Sequence, residues 1–264
     1  MDRLAAGRVA LPSENRGRMA TAGTEADRSE LLGHVFASLD SKAVSELNGI
    51  CLETSYEEGE LVAQEGSYAS GMHIVKSGLV KIGKHGERGS GKRVLRFLSV
   101  GELFGLEAIV LEHATNIQYA KAIMPSSLIF IERRNLVAFR DGHPEICADL
   151  CRWLARDVVM LEYKLTRDAV ESLDRNLALL LIALAHKYGE KIENVVTVQL
   201  PVSRQILSDM LGVSVESLMR SLRRFRDHKL LTTSGRVVSI HDFDSLMSRA
   251  RITPFYLSII EETL

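Results

Sequence analysis

The chain has 264 residues, 33 Lys+Arg against 34 Asp+Glu, 46% hydrophobic and 25% charged residues, and a formal net charge of −1. That composition excludes a disordered polyelectrolyte, a collagen-like repeat and a globally basic nucleic-acid coat, so any nucleic-acid binding must come from a local basic face. The length suggests two domains, the 3 scattered Cys fit a reducing cytoplasm rather than a disulfide framework, and no apolar run is long enough for a bilayer or placed as a signal peptide.

Residues 1–29 are rich in Ala, Gly, Arg, Ser and Thr with little apolar periodicity. They read as a disordered tail, or as a start assigned upstream of Met19. Leu31, Leu32, Val35, Phe36 and Leu39 then keep helical spacing, and Ala43, Val44 and Leu47 add a second turn or two.

From Cys51 the texture changes to short apolar alternations between Gly-bearing turns, including a Gly-rich loop from Gly83 to Gly91. His73–Lys76, Leu79–Ile82, Val94–Leu98 and Leu128–Ile131 read as strands, and many short strands at near-even spacing predict an antiparallel roll over 30–143. His73, His85 and His113 sit in no metal-binding spacing and read as surface or turn residues.

At His143-Pro144 the β texture stops, and from Glu145 to about Ser172 no Pro or Gly interrupts. Leu154, Val158, Leu161 and Leu165 follow 4-3-4 spacing, the seam of a two-stranded coiled coil, which predicts a dimerisation helix over 144–172. A single amphipathic helix packed within one chain is the competing reading. Ile146, Leu150 and Trp153 form a second apolar edge able to cover the β domain. Cys147 and Cys151 extend the seam backwards; they read as buried small hydrophobes, with an interchain redox switch as the alternative.

Asp174 is expected to cap a helix from Leu177 to Tyr188, ended by Gly189, and Val195–Leu200 alternates like a strand. Residues 203–225 carry the functional motif of a domain spanning 173–248. Ser203 can cap a helix ending at Leu211, Gly212 permits a left-handed turn, Ser208 is small where a second helix must pass, and Ser214 can cap that helix. Leu218, Leu222 and Phe225 form its core face, leaving Glu216, Ser217, Arg220, Arg223 and Arg224 away from it. Arg204, Arg220, Arg223, Arg224, Arg226, Lys229 and Arg236 oppose Asp209, Glu216 and Asp227 between 200 and 240, a local basic patch. The hairpin Leu230–Ile240, turning at Ser234-Gly235, supplies a wing. Together these predict an α+β chain ending in a winged helix-turn-helix that binds double-stranded DNA. The tail 249–264, with Phe255, Tyr256, Leu257, Ile259 and Ile260, reads as a short amphipathic segment docking back on the protein rather than on a membrane.

In this order of elements the chain resembles the Crp/Fnr family of bacterial transcription regulators over about residues 30 to 245. Gly101-Glu102-Leu103-Phe104-Gly105-Leu106-Glu107-Ala108-Ile109 and Val213-Ser214-Val215-Glu216-Ser217-Leu218-Met219-Arg220 are most similar to the Fnr/FixK-like branch. The resemblance implies a cyclic-nucleotide-binding-like roll, a homodimer and an inverted-repeat, TTGA-like operator. It implies base reading by Glu216, Ser217, Met219 and Arg220, and phosphate contacts from Ser203, Arg204, Gln205, Ser214 and Arg223. RNA polymerase is an implied partner. Val215 stands where the catabolite-activator branch has Arg, and Met219 replaces a small polar residue, which leaves the outermost base open.

The departures are equally specific. Cyclic-AMP-binding relatives carry a Glu where Leu106 stands and an Arg-Ser pair where Thr115-Asn116-Ile117 stands, so no cyclic nucleotide is expected. Residues 1–50 hold no Cys for an iron–sulfur cluster, so none is expected, and no cofactor, metal or catalytic residue is assigned. Haem or a Cys147/Cys151 redox signal are the alternative effectors. A cupin-like metalloenzyme is the alternative class, and it lacks a metal triad in the sequence.

Overall fold

The computed structural model describes residues 25–85, 92–107, 115–168, 173–200 and 202–251. Helix α1 (Glu25–Val35) starts inside the stretch read as tail. Glu25 and Asp27 suit the positive end of a helix, but the apolar anchors begin at Leu31, so periodicity reveals only the second half. Asp40 caps α2 (Ser41–Gly49), its carboxylate accepting the Ala43 N–H at 2.8 Å.

Eight strands follow: β1 (Cys51–Tyr56), β2 (Leu61–Ala63), β3 (Gly71–Ser77), β4 (Val80–His85), β5 (Lys92–Leu98), β6 (Leu103–Phe104), β7 (Tyr119–Ala122) and β8 (Ser126–Glu132). They form two four-stranded antiparallel sheets, ordered β1-β8-β3-β6 and β2-β7-β4-β5. Strand periodicity sends Val75, Val80, Ile82, Leu98 and Leu128 into the space between the sheets. Met72, Ile74, Ile129 and Ile131 point out of the first sheet against helices. Gly105 takes φ +89 in the turn after β6, and a Cβ there would stand 2.5 Å from the Gly71 carbonyl oxygen, so a side chain is excluded twice over.

Two expectations for this region are corrected. Gly83, Lys84 and His85 continue β4, paired with Val94, Arg93 and Lys92, so the expected Gly-rich loop is confined to residues outside those described. His73 is neither at the surface nor in a turn. Its place in β3 turns it inward, where it stacks on Phe104 with centroids 4.7 Å apart and leans on Phe130 at 4.8 Å. Burial pushes its pKa down to about 4, so it is neutral. His85 is exposed and paired with Glu65 at 2.8 Å, and His113 lies outside the described residues.

Helix α3 (Arg133–Gly142), anchored by Leu136 and Phe139, runs into the His143-Pro144 break ahead of α4 (Ile146–Asp168). One face of α4 packs on the roll. Ile146 and Leu150 join the cluster beneath α1 and α2, the Trp153 indole donates to the Val35 carbonyl at 3.1 Å, and the fully buried Asp149 accepts the Ser38 N–H at 3.0 Å. The other face leaves Cys147, Cys151, Leu154, Val158 and Leu161 exposed. The two cysteines are therefore exposed in the single chain, on the face expected to form the seam. The Leu165 side chain lies outside those described.

The C-terminal unit comprises α5 (Leu173–Tyr188), β9 (Gly189–Ile192), β10 (Val195–Gln199), α6 (Arg204–Leu211), α7 (Val215–Asp227), β11 (Leu231–Ser234), β12 (Val237–Ile240) and α8 (Phe243–Ala250). Its sheet is ordered β11-β12-β10-β9. Helix α5 starts four residues before Leu177, so Asp174 lies in its first turn rather than capping it. Leu177, Leu181, Ile182, Val198, Leu207, Leu218, Phe225 and Val238 fill the core, and Leu79, Ile123, Phe97 and Met124 of the roll pack against it. No helix among the described residues is long and apolar enough to cross a membrane. Residues 1–24 and 252–264, including most of both expected tails, lie outside the described part.

Candidate nucleic-acid interface

The hydroxyl of Ser203 caps α6 by accepting the Ile206 N–H at 3.4 Å, and that of Ser214 caps α7 by accepting the Ser217 N–H at 3.2 Å. Each cap is worth about 1 kcal/mol. Between them Gly212 adopts φ +67, ψ 31, the left-handed conformation that turns the chain sharply. Ser208 is fully buried at the crossing, its hydroxyl donating to the Gln205 carbonyl at 2.7 Å. Helix α7 is anchored by Leu218, Leu222 and Phe225, 0–4% exposed. Burying each such side chain contributes roughly 1.5–3 kcal/mol, enough to fix which face of the helix looks outward.

That outward face carries Glu216, Met219, Arg220 and Arg223, all exposed. The Arg220 guanidinium donates to the Ser217 hydroxyl at 3.2 Å, and Ser217 accepts in turn from Ser214 at 3.0 Å. The chain of contacts holds Arg220 against the first turns of the helix. In α6, Gln205 is exposed but engaged, its amide donating to Asp209 at 3.0 Å. Arg204 is partly withdrawn. Its Nη2 donates to the Gly235 carbonyl at the wing tip, 3.1 Å away, and burial lowers its pKa. The expected phosphate residue Arg204 therefore also ties helix to wing.

Two charged pairs matter that the sequence reading did not foresee. Arg224 hydrogen-bonds Asp174 of α5, Nε to Oδ2 at 3.0 Å, so one positive charge of the local patch is neutralised within the protein. No local spacing announces a pair fifty residues apart. In the roll, Arg96 lines a small cavity of about 20 Å³ beside Gly105, Glu107 and Asn116. That Arg is paired with Asp157 of α4. A lone charge inside the apolar strand Val94–Leu98 was the signal that could have found it.

Comparison with known proteins agrees with this architecture. Residues 53–143 match the profile of the cyclic nucleotide-binding domain, and residues 176–249 that of the Crp-like helix-turn-helix domain. The chain belongs to the Crp/Fnr family. The CRP-like cAMP-activated global transcriptional regulator of Mycobacterium tuberculosis is 24% identical over 217 residues, 82% of this chain and 96% of that protein. The fumarate and nitrate reduction regulatory protein of Yersinia pestis is 21% identical over 195 residues, covering 74% of this chain and 76% of that one. The structure of FixK2 from Bradyrhizobium japonicum superposes with TM-score 0.67 at 21% identity, covering 77% of this chain and 99% of that one. These Crp/Fnr relatives are regulators rather than enzymes, and this member is a transcription regulator with a helix-turn-helix DNA-binding domain.

Proposed function

We propose that this Crp/Fnr protein acts as a homodimer that reads an inverted-repeat, TTGA-like operator. The observation that carries the reading is the outward face of α7, where Glu216 and a positioned Arg220 stand exposed above a fully buried Leu218–Leu222–Phe225 ridge. Arg can donate twice to the O6 and N7 of guanine, and Glu can accept from the N4 of cytosine. Ser217 and Met219 flank these two base readers. Ser203, Arg204, Gln205, Ser214 and Arg223 supply phosphate contacts that set register.

The dimer is supported by α4. Cys147, Cys151, Leu154, Val158 and Leu161 make a continuous exposed stripe at 4-3-4-3 spacing, while the opposite face is consumed by the roll. A second copy covers that stripe, and two-fold protein symmetry demands two-fold DNA symmetry. Docking on RNA polymerase belongs to the same reading, as does a cytoplasmic location.

Neither a cyclic nucleotide nor an iron–sulfur cluster is the signal in this reading. Although one relative is named as cAMP-activated, here Leu106 and Thr115-Asn116 replace its type of phosphate clamp. Arg96 does reach the roll cavity, but Asp157 already neutralises it, and about 20 Å³ is room for a water rather than a nucleotide. The test is selection of bound DNA from a random library by the full-length protein, with its mass measured in solution. An inverted repeat bound by a dimer is expected; a monomer that retains all sequences alike would overturn the reading.

A further inference from the structure

A second, larger cavity lies outside the roll. It is a cleft of about 410 Å³ walled by β5, the middle of α4, α5 and the end of α6, so it touches both domains and the first helix of the DNA-binding motif. That volume falls in the range of small-molecule sites, roughly 300–1,000 Å³.

Three features define what would fit. The walls are mainly apolar, with Phe97 of β5, Leu180 and Ala183 of α5, Met210 of α6 and Ile117 facing in. Among the described residues the one cation on the wall, Arg96, is paired with Asp157, and Glu107 adds a carboxylate, so these residues offer an anion no unpaired positive charge. Finally, Asn176 Oδ1 is buried on this wall and accepts no hydrogen bond among the described residues. An acceptor held away from water without a partner is costly, and a ligand N–H or O–H would relieve it.

We propose that this cleft is the effector site, and that it takes a neutral, mainly apolar small molecule carrying a hydrogen-bond donor. Its role as effector site rests on the regulator reading above; its capacity to bind does not. An occupant here sets how α6, through Met210, sits against the roll and α4. Ligand occupancy therefore biases the orientation of the recognition helix by its differential contacts in the two orientations. A second copy of the chain is the rival occupant, because the cleft mouth adjoins Leu161 of the exposed stripe.

Phenylnaphthylamine, a neutral aromatic amine that fluoresces in apolar surroundings, tests this on the full-length protein. Saturable binding of one probe per chain is expected. Asn176→Leu removes the acceptor and should weaken binding about fivefold. Ile117→Trp, at a wall position that is 57% exposed, should weaken it at least tenfold by filling the space, with thermal unfolding checking that the variant stays folded. Saturating probe should also shift operator affinity at least threefold. No probe binding, or binding indifferent to both variants, overturns the site. Binding that disappears as the protein concentration is raised through dimer formation shows that a second copy fills the cleft, and overturns it equally. Probe binding with unchanged operator affinity overturns the effector role alone, whereas a protein that binds probe but selects no DNA sequence overturns the regulator reading and leaves the binding site standing.

Discussion

Arg224 grips Asp174 through two hydrogen bonds, Nε to Oδ2 at 3.0 Å and Nη2 to Oδ1 at 2.5 Å, fastening the recognition helix to the first turn of α5. Burial by itself would raise the Asp174 pKa, but hydrogen bonds from Arg224 and Ser221 outweigh it and hold the carboxyl below its ordinary value of 3.8. A depressed carboxyl pKa contributes stability that is present above 3.8 and lost as pH falls through the lower, folded value. Since half of the Arg224 side chain is exposed, Asp174→Asn should cost only about 0.5–1 kcal/mol at neutral pH. Denaturant titrations at neutral pH and below pH 3 check this, because wild type and variant should converge in acid. A constant difference across that range would refute the assignment.

His143 offers the opposite sign. Its Nε2 meets Glu46 at 2.9 Å and its Nδ1 meets Glu145 at 3.2 Å, linking α2 to the start of α4. The Glu46 hydrogen bond raises the imidazole pKa above its ordinary 6.5 against the opposing effect of burial. That contribution is therefore complete below pH 6.5 and is lost as pH rises through the folded value. Thermal unfolding of wild type should weaken between pH 6 and 8 relative to His143→Gln, whose profile should be flatter. Parallel profiles would sink the prediction.

Two arginines of the motif should fail differently. Arg220→Ala is expected to lose about 1–3 kcal/mol on the selected operator and to relax preference at one G·C pair. Arg204→Ala should instead weaken specific and non-specific DNA about equally, lower the salt dependence by roughly one counterion, and loosen the wing held at Gly235. Competition binding at several salt concentrations separates the two. Identical behaviour of both variants would argue against the division into base reader and backbone anchor.

Gly212→Ala places a side chain at φ +67, where no heavy atom would be struck but the left-handed conformation itself is unfavourable. A loss of about 1 kcal/mol in stability is expected, without any change in which sequence is selected. A shift in sequence preference at full stability would contradict a purely conformational role.

Calorimetric titration with cyclic AMP or cyclic GMP should give no heat in the micromolar range for the wild type. Asp157→Ala frees the Arg96 guanidinium but leaves the roll cavity small, so the variant should remain silent as well. Binding by the variant alone would show that charge, not space, is what excludes the nucleotide.

Local pattern was enough to read the helix-turn-helix. Its caps Ser203 and Ser214, the glycine at 212 and the ridge Leu218–Leu222–Phe225 are all encoded within twenty-three consecutive residues, because capping, turn chemistry and helical period act between near neighbours. The 4-3 spacing along α4 was legible for the same reason. What tertiary structure alone decided are the long-range partners. It set His73 between two phenylalanines, Arg224 against a carboxylate fifty positions away, and Arg96 against Asp157 on another element. It also brought β5, α4, α5 and α6 around one cleft whose walls no single segment describes. Such pairings depend on how sheets and helices cross in space, and a one-dimensional period carries no information about which distant face it will meet.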